Sequence, residues 1–233
     1  MKTKIRGVIL DFDGVVNDSF HEGLRRIRNL CAVFDVNFTP ASRRKLTELW
    51  GLPGVELLKQ GLDISEGMAK QLYPAWERID LADPIPLVPG AKEALLWLRR
   101  NGFTTCLLTS RNRENIMDIF EKIDLLREFG VISTRQESPW RKPDPRVFQY
   151  TLGELKDRFG IEAQECIFVG DTPADIDAGK AIGMETLLVQ TGPYLLRHAR
   201  ELPIALENVL HSIDDLPMWI EEHHSGKIQY PYI

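Results

Sequence analysis

The first apolar run of the chain, Ile5–Leu10, stops dead at Asp11-Phe12-Asp13-Gly14. Four further short runs follow at Thr104–Leu108, Val131–Ser133, Ile167–Val169 and Thr186–Val189. Segments of helical period lie between them. Ala91–Arg100 has apolar residues at 91, 94, 95 and 98 and meets Gly102, a natural helix stop. Asn112–Ile123, Arg146–Phe159 and Ala174–Ile182 read likewise. Short strands alternating with helices predict an α/β fold, a parallel sheet covered by helices on both faces. Hydrophobic residues make up 43% of the 233, enough to bury a sizeable core.

One region breaks the alternation. From Ser19 to about Leu87 no strand is expected. Ser19 is placed to cap a helix with a stripe of Phe20, Leu24, Ile27, Cys31 and Phe34. Thr39-Pro40 opens a second helix bearing Leu46, Leu49 and Trp50, and Ser65 a third through about Ile79. The proline-rich stretch Asp83–Gly90 returns the chain to the sheet. About 70 helical residues are thus inserted after the first strand. After Gln190 the pattern predicts a helix over Pro193–Glu201, a short strand at Val209–Leu210 and a last helical turn or two over Leu216–Glu222.

The net charge of −5 gives no bulk drive towards nucleic acid or an anionic membrane. No apolar run approaches the roughly 20 residues that span a bilayer. The N-terminal apolar stretch Val8–Leu10 is too short for a signal peptide. Three scattered cysteines, Cys31, Cys106 and Cys166, point to a reducing cytoplasm and to small core roles, not to a disulfide framework. The expected partner is a small molecule, with the protein a monomer or homodimer.

Chemistry gathers at the strand ends. Asp11 and Asp13 follow the first strand, and period-2 alternation would put both side chains on about the same side. Val169-Gly170-Asp171-Thr172-Pro173-Ala174-Asp175 repeats the plan: apolar strand, glycine, carboxylate, then a second acid in the first turn of a helix. Asp11, Asp13 and Asp171 together form an all-oxygen site suited to Mg2+. Thr109 and Ser110 place hydroxyls and amides at the end of the second strand, where an oxyanion would be cradled. Lys142, held by Pro143, offers a cation to neutralise both a phosphoryl group and a nucleophilic acid. In an open α/β sheet the carboxyl edge of the strands is where ligands bind.

With these motifs in chain order, the sequence resembles the haloacid dehalogenase-like hydrolase superfamily, in its phosphoglycolate phosphatase and β-phosphoglucomutase branch, over about residues 5–190. The resemblance implies a Rossmann-like catalytic core (1–16 and 88–233) with an inserted all-helical cap (17–87). It implies a phosphoric monoester hydrolase acting on a small phosphorylated metabolite. Asp11 would attack phosphorus and form an aspartyl-phosphate. Asp13 would protonate the leaving oxygen and then activate water. Mg2+ would be held by the Asp11 carboxylate, the Asp13 backbone carbonyl and Asp171, with Asp175 in support. Thr109, the Ser110 amide and Lys142 would bind the phosphoryl oxygens. Dehalogenases of the superfamily lack an Asp at position 13, so that activity is disfavoured.

Specificity is expected from the cap. Mutases of this branch carry an arginine where this chain has Gly54, which favours the phosphatase over a phosphosugar mutase. A phosphonoacetaldehyde hydrolase would need a cap lysine, and neither Lys45 nor Lys59 has a diagnostic spacing. Arg25, Arg26 and Arg28 lie off the apolar stripe and, like Arg43, Arg44 and Lys45, read first as a solvated face, second as an anion site. Trp50, Trp76 and Trp97 read as packing, and His223-His224 as solvated. Gly14–Ser19 and Asp83–Gly90 are the candidate hinges of the cap.

Overall fold

The computed structural model describes residues 4–194 and 202–224. The chain divides into two compact units, Met1–Asn17 with Leu87–Ile233, and Asp18–Pro86.

The larger unit is built on a six-stranded sheet: β1 (Gly7–Leu10), β2 (Thr104–Leu108), β3 (Val131–Ser133), β4 (Cys166–Gly170), β5 (Glu185–Val189) and β6 (Val209–Leu210). The strand order is β3-β2-β1-β4-β5-β6 and every pairing is parallel. The fold is α/β and Rossmann-like, with β1 at the centre between β2 and β4. Buried on both faces, the strands need apolar residues at nearly every position. Their side chains alternate accordingly. Val8, Leu10, Leu107, Ile167 and Val169 enter a core completed by Ala94, Leu95 and Leu98 of α5 (Ala91–Arg100), Ile116 and Phe120 of α6 (Arg113–Ile123), and Trp219 and Ile220 of α9 (Leu216–His224). Ile9, Cys106, Leu108 and Phe168 enter a second core with Leu155 of α7 (Gln149–Phe159) and Ala178 of α8 (Pro173–Ala181). Cys31, Cys106 and Cys166 are all free and buried.

Two details of this unit depart from the sequence reading, and one expectation lies outside the described residues. The expected helix over Arg146–Phe159 is two pieces, a 3-10 turn at Pro145–Phe148 and then α7. The turn begins earlier because the Asp144 carboxylate accepts a hydrogen bond from Arg146 N at 3.0 Å, with proline at the first turn position. His223 and His224 are not solvated: both rings lie against Trp219, and His224 Nε2 stands 2.9 Å from Glu185 on β5. The helix expected over Pro193–Glu201 falls largely outside the described residues.

The smaller unit is all-helical: α1 (Ser19–Val33), α2 (Pro40–Glu48), α3 (Gly54–Leu62) and α4 (Glu66–Ala82). Phe20, Leu24, Ile27 and Cys31 form the buried stripe of α1 and pack with Leu46, Leu58 and Leu72. Trp50 meets the Phe20 ring edge-on at 5.2 Å, a packing role. The cap of α1 is Asp18, whose carboxylate accepts from His21 N at 3.3 Å, and Ser19 is the first helical residue. Thr39 caps α2 through a reciprocal box with Ser42, and Ser65 caps α4 through Met68 N. Helix α3, between Trp50 and Ser65, is not among the helices expected. Tertiary burial of Leu57, Leu58 and Leu62 holds it.

Arg26 corrects the solvated-face reading. It is 2% exposed, and its guanidinium donates to Glu22 Oε1 at 2.6 Å, Asp80 Oδ1 at 2.8 Å and Asp83 Oδ2 at 3.2 Å. It ties α1 to the end of α4. The Arg25 fork, burial notwithstanding, joins Arg26 in holding the Glu22 carboxyl below its ordinary value. A depressed acid contributes stability above its unfolded pKa and loses it as pH falls through the folded value. Acidification below the ordinary glutamate range should therefore weaken this unit more in the natural chain than in E22Q, read by pH-dependent unfolding. At neutral pH, R26A should cost about 1–3 kcal/mol, through lost packing and the lost ion pair with Asp80, and R26M less.

Candidate active site

The site stands at the carboxyl edge of the sheet, within the larger unit. Asp11 directly follows β1, and its backbone N donates to Val169 O at 2.9 Å, prolonging the β1–β4 ladder by one bond. Its Oδ1 accepts from Phe12 N at 2.8 Å and its Oδ2 faces Lys142 Nζ at 2.9 Å. Lys142 comes from the loop after β3 and reaches Asp175 Oδ1 at 2.5 Å. Asp175 is fully buried in the first turn of α8. Its Oδ2 accepts from Asp171 N at 3.3 Å, Thr172 N at 3.0 Å and Thr172 Oγ1 at 2.5 Å. One carboxylate thus shapes the turn after β4, caps α8 and anchors the lysine.

Asp171 completes the cluster. Carboxylate oxygens of Asp11, Asp171 and Asp175 all lie within 4.8 Å of one another, and all three residues are buried. Gly14 and Gly192 flank Asp171 closely, since a Cβ on either would collide with its carboxylate. Gly14 has φ 78°, a conformation glycine adopts without strain, and Thr191 Oγ1 donates to Gly14 O at 2.5 Å. Burial and the neighbouring acids outweigh Lys142 and raise the Asp11 carboxyl to about 7. Burial and the charges of Asp175 and Asp11 raise Asp171 well above the carboxylate range. Burial opposes the Lys142 charge, but Asp11 and Asp175 outweigh it and hold the ammonium above its ordinary value.

Three acids and one ammonium leave an excess of negative charge in a buried place. Clustered hard oxygen donors approached closely by glycine backbone fit a divalent cation in chemistry. Asp11 and Asp171 are the residues that could hold it, with Asp175, whose oxygens already serve Lys142 and the turn before α8, in support.

The Asp13 side chain is elsewhere. The alternation that would align it with Asp11 ends with β1 at Leu10, and Asp11–Asp13 already belongs to the turn. Its carboxylate is gripped by Arg111, with Nε to Oδ2 at 2.7 Å and Nη2 to Oδ1 at 2.6 Å. The all-oxygen side-chain cluster therefore takes Asp175 in place of Asp13. Thr109 is buried just past β2 and its Oγ1 accepts from Arg111 N at 3.2 Å, while Ser110 is exposed beside it. A cavity of about 140 Å3 opens here, bordered by Thr109, Ser110, Lys142, Trp140 and Arg135.

A family model for haloacid dehalogenase-like hydrolases matches residues 8–189. The chain belongs to that family. A phosphoglycolate phosphatase of Pseudomonas fluorescens (strain Pf0-1) is 26% identical over 222 residues, covering 91% of this chain and 77% of that protein. One from Pseudomonas savastanoi pv. phaseolicola is 32% identical over 161 residues, covering 69% of this chain and 53% of that protein. In the latter match and others like it, the chain spans about half the length of the relative. Among solved structures, a Thermotoga maritima protein provisionally named a β-phosphoglucomutase superposes with a TM-score of 0.74 at 19% identity, covering 94% of this chain and all of that one. That likeness speaks for the fold of this haloacid dehalogenase-like chain.

Three participants went unassigned in the sequence. Arg111 stands two residues after a strand-end hydroxyl, where a cation facing the Asp11–Asp13 turn was the available signal. Thr191 and Gly192 follow β5, next to β4 in the sheet, and the strand-end position alone pointed to them.

An acid whose folded pKa is raised costs stability once pH passes its unfolded value. D171N should therefore raise the metal-free unfolding temperature near neutral pH by about 2–4 °C for each kcal/mol relieved. Added MgCl2 should raise the unfolding temperature of the natural chain and not of this variant, read by thermal unfolding with and without the salt.

Proposed function

We propose that this chain is a Mg2+-dependent phosphomonoester hydrolase, acting on a small phosphorylated metabolite of phosphoglycolate or sugar-phosphate type through an aspartyl-phosphate. The observation that carries the reading is the convergence of Asp11, Lys142, Asp175 and Asp171 at one sheet edge, with carboxylates within 4.8 Å and the ammonium 2.9 Å from Asp11. The similarity to proteins named phosphoglycolate phosphatase supports the substrate class.

Asp11 is the nucleophile, its oxygen bonding to phosphorus in line with the departing oxygen. Lys142 holds Asp11 in place and shields it from the incoming phosphoryl charge. Thr109 and the Ser110 amide bind phosphoryl oxygens in the cavity at the end of β2. Asp13 delivers a proton to the leaving oxygen and later takes one from the attacking water. Asp11, Asp171 and the Asp13 backbone carbonyl, with Asp175 in support, would hold Mg2+, which would supply charge neutralisation for the transferring group. The helical unit serves as a cap that selects the substrate, and the protein works in the cytoplasm.

D11N should still fold to a single cooperative unfolding transition, and release no phosphate above background from any member of a phosphometabolite panel with Mg2+. Near-normal turnover in D11N would remove Asp11 from the nucleophile role. The structural likeness to β-phosphoglucomutases supports a second reading, a phosphosugar mutase. Activity that needs a bisphosphate activator, with little phosphate release, would favour it.

A further inference from the structure

Arg111 lies outside every role given above, yet it is among the most constrained side chains of the site. Its backbone N donates to Thr109 Oγ1 at 3.2 Å and its carbonyl accepts from Arg135 N at 3.0 Å. Its Nη1 donates to Asn115 Oδ1 at 3.1 Å, leaving Nε and Nη2 to form the fork on Asp13. The guanidinium also lies 5.7 Å from the centre of the buried Phe12 ring. An exposed ion pair with one contact is worth little, whereas a two-point fork fixes direction as well as distance.

That matters because Asp13 follows a strand end and has no strand geometry to aim it. Asp11 is aimed by the β1–β4 ladder, and Asp171 and Asp175 by the capped turn of α8. Asp13 is half-buried in a turn that closes through Gly14 N to Asn17 O at 2.9 Å. A carboxylate has about four lone-pair sites; the fork uses two, and the Asn17 amide donates to Oδ1 at 3.2 Å as well. Arg111 can hold Asp13 while proton exchange takes place at another site on the same group.

We infer that Arg111 is a positioning residue: its guanidinium sets the plane and direction of the Asp13 carboxylate, and so the place where Asp13 meets the leaving-group oxygen. The inference rests on the proposed role of Asp13. In that step the Asp11 oxygen bonds to phosphorus. The bond from phosphorus to the leaving oxygen breaks with its electron pair on that oxygen, and the Asp13 proton neutralises it.

A leaving group that departs as a stable anion has little need of the proton. The test compares glycerol 2-phosphate, an alkyl ester, with p-nitrophenyl phosphate, an aryl ester, through kcat/KM, which covers only the steps up to departure of the leaving group. General acid catalysis supplies about 10²–10⁴-fold, so misplacing the acid should cost about 10–100-fold on the alkyl ester. R111A should show that loss and change the aryl ester by less than about threefold. R111K keeps the charge without the fork and should recover only part of the alkyl activity. A fraction of misfolded protein lowers both substrates equally, so the ratio is insensitive to it, and R111Q carries the same comparison if R111A does not fold. Equal losses on the two esters, or full recovery in R111K, would overturn the positioning role while leaving the hydrolase standing. A natural chain that releases phosphate from neither ester nor any member of the phosphometabolite panel would overturn the hydrolase and this inference together.

Discussion

One ammonium among buried acids organises the larger unit. Lys142 reaches Asp11 and Asp175, which come from the ends of β1 and β4, and itself comes from the loop after β3. Three chain segments far apart in sequence are drawn to one point by a charge interaction that is strong because water is excluded. It is also incomplete. Burial first, and the neighbouring acids after it, raise the Asp11 and Asp171 carboxyls beyond what the single lysine offsets. A bound cation would neutralise that charge, and without one the acids cost the bare protein stability.

The strand ends were legible because each announces itself locally: an apolar run, then a residue that cannot belong to a core. That signal found Asp11, Thr109 and Asp171 without knowledge of which strands pair. It failed at Asp13, where a rule for strands was carried one step past the strand. The side chain there answers to Arg111, 98 residues later. Capping signals such as Thr39-Pro40 and Ser65 were equally local and equally readable.

What could not be read was pairing at long range. Arg26 sits off the apolar stripe of α1, and nothing near it in sequence shows that Asp80 and Asp83 come to meet it. Glu185 likewise lies far along the chain from His224. In each case a polar residue reads as solvated until its distant partner is known, since burying it alone would be costly. Helix α3 went unexpected too, and burial of its leucines holds it in place.

The chain leaves the larger unit and returns to it at neighbouring points. Asn17 bridges Leu87, Val88 N donates to Val16 O at 2.9 Å, and Asp18 N donates to Pro86 O at 2.9 Å. Everything between those points is, to the parallel sheet, a loop whose ends are already tied together. The entropy of closing such a loop grows only with the logarithm of its length, about 0.6 kcal/mol for each doubling. Evolution by recombination can therefore exchange, lengthen or shorten the insert at small thermodynamic penalty. One hydrolytic scaffold could acquire new substrate preferences by grafting, with its own strands left untouched.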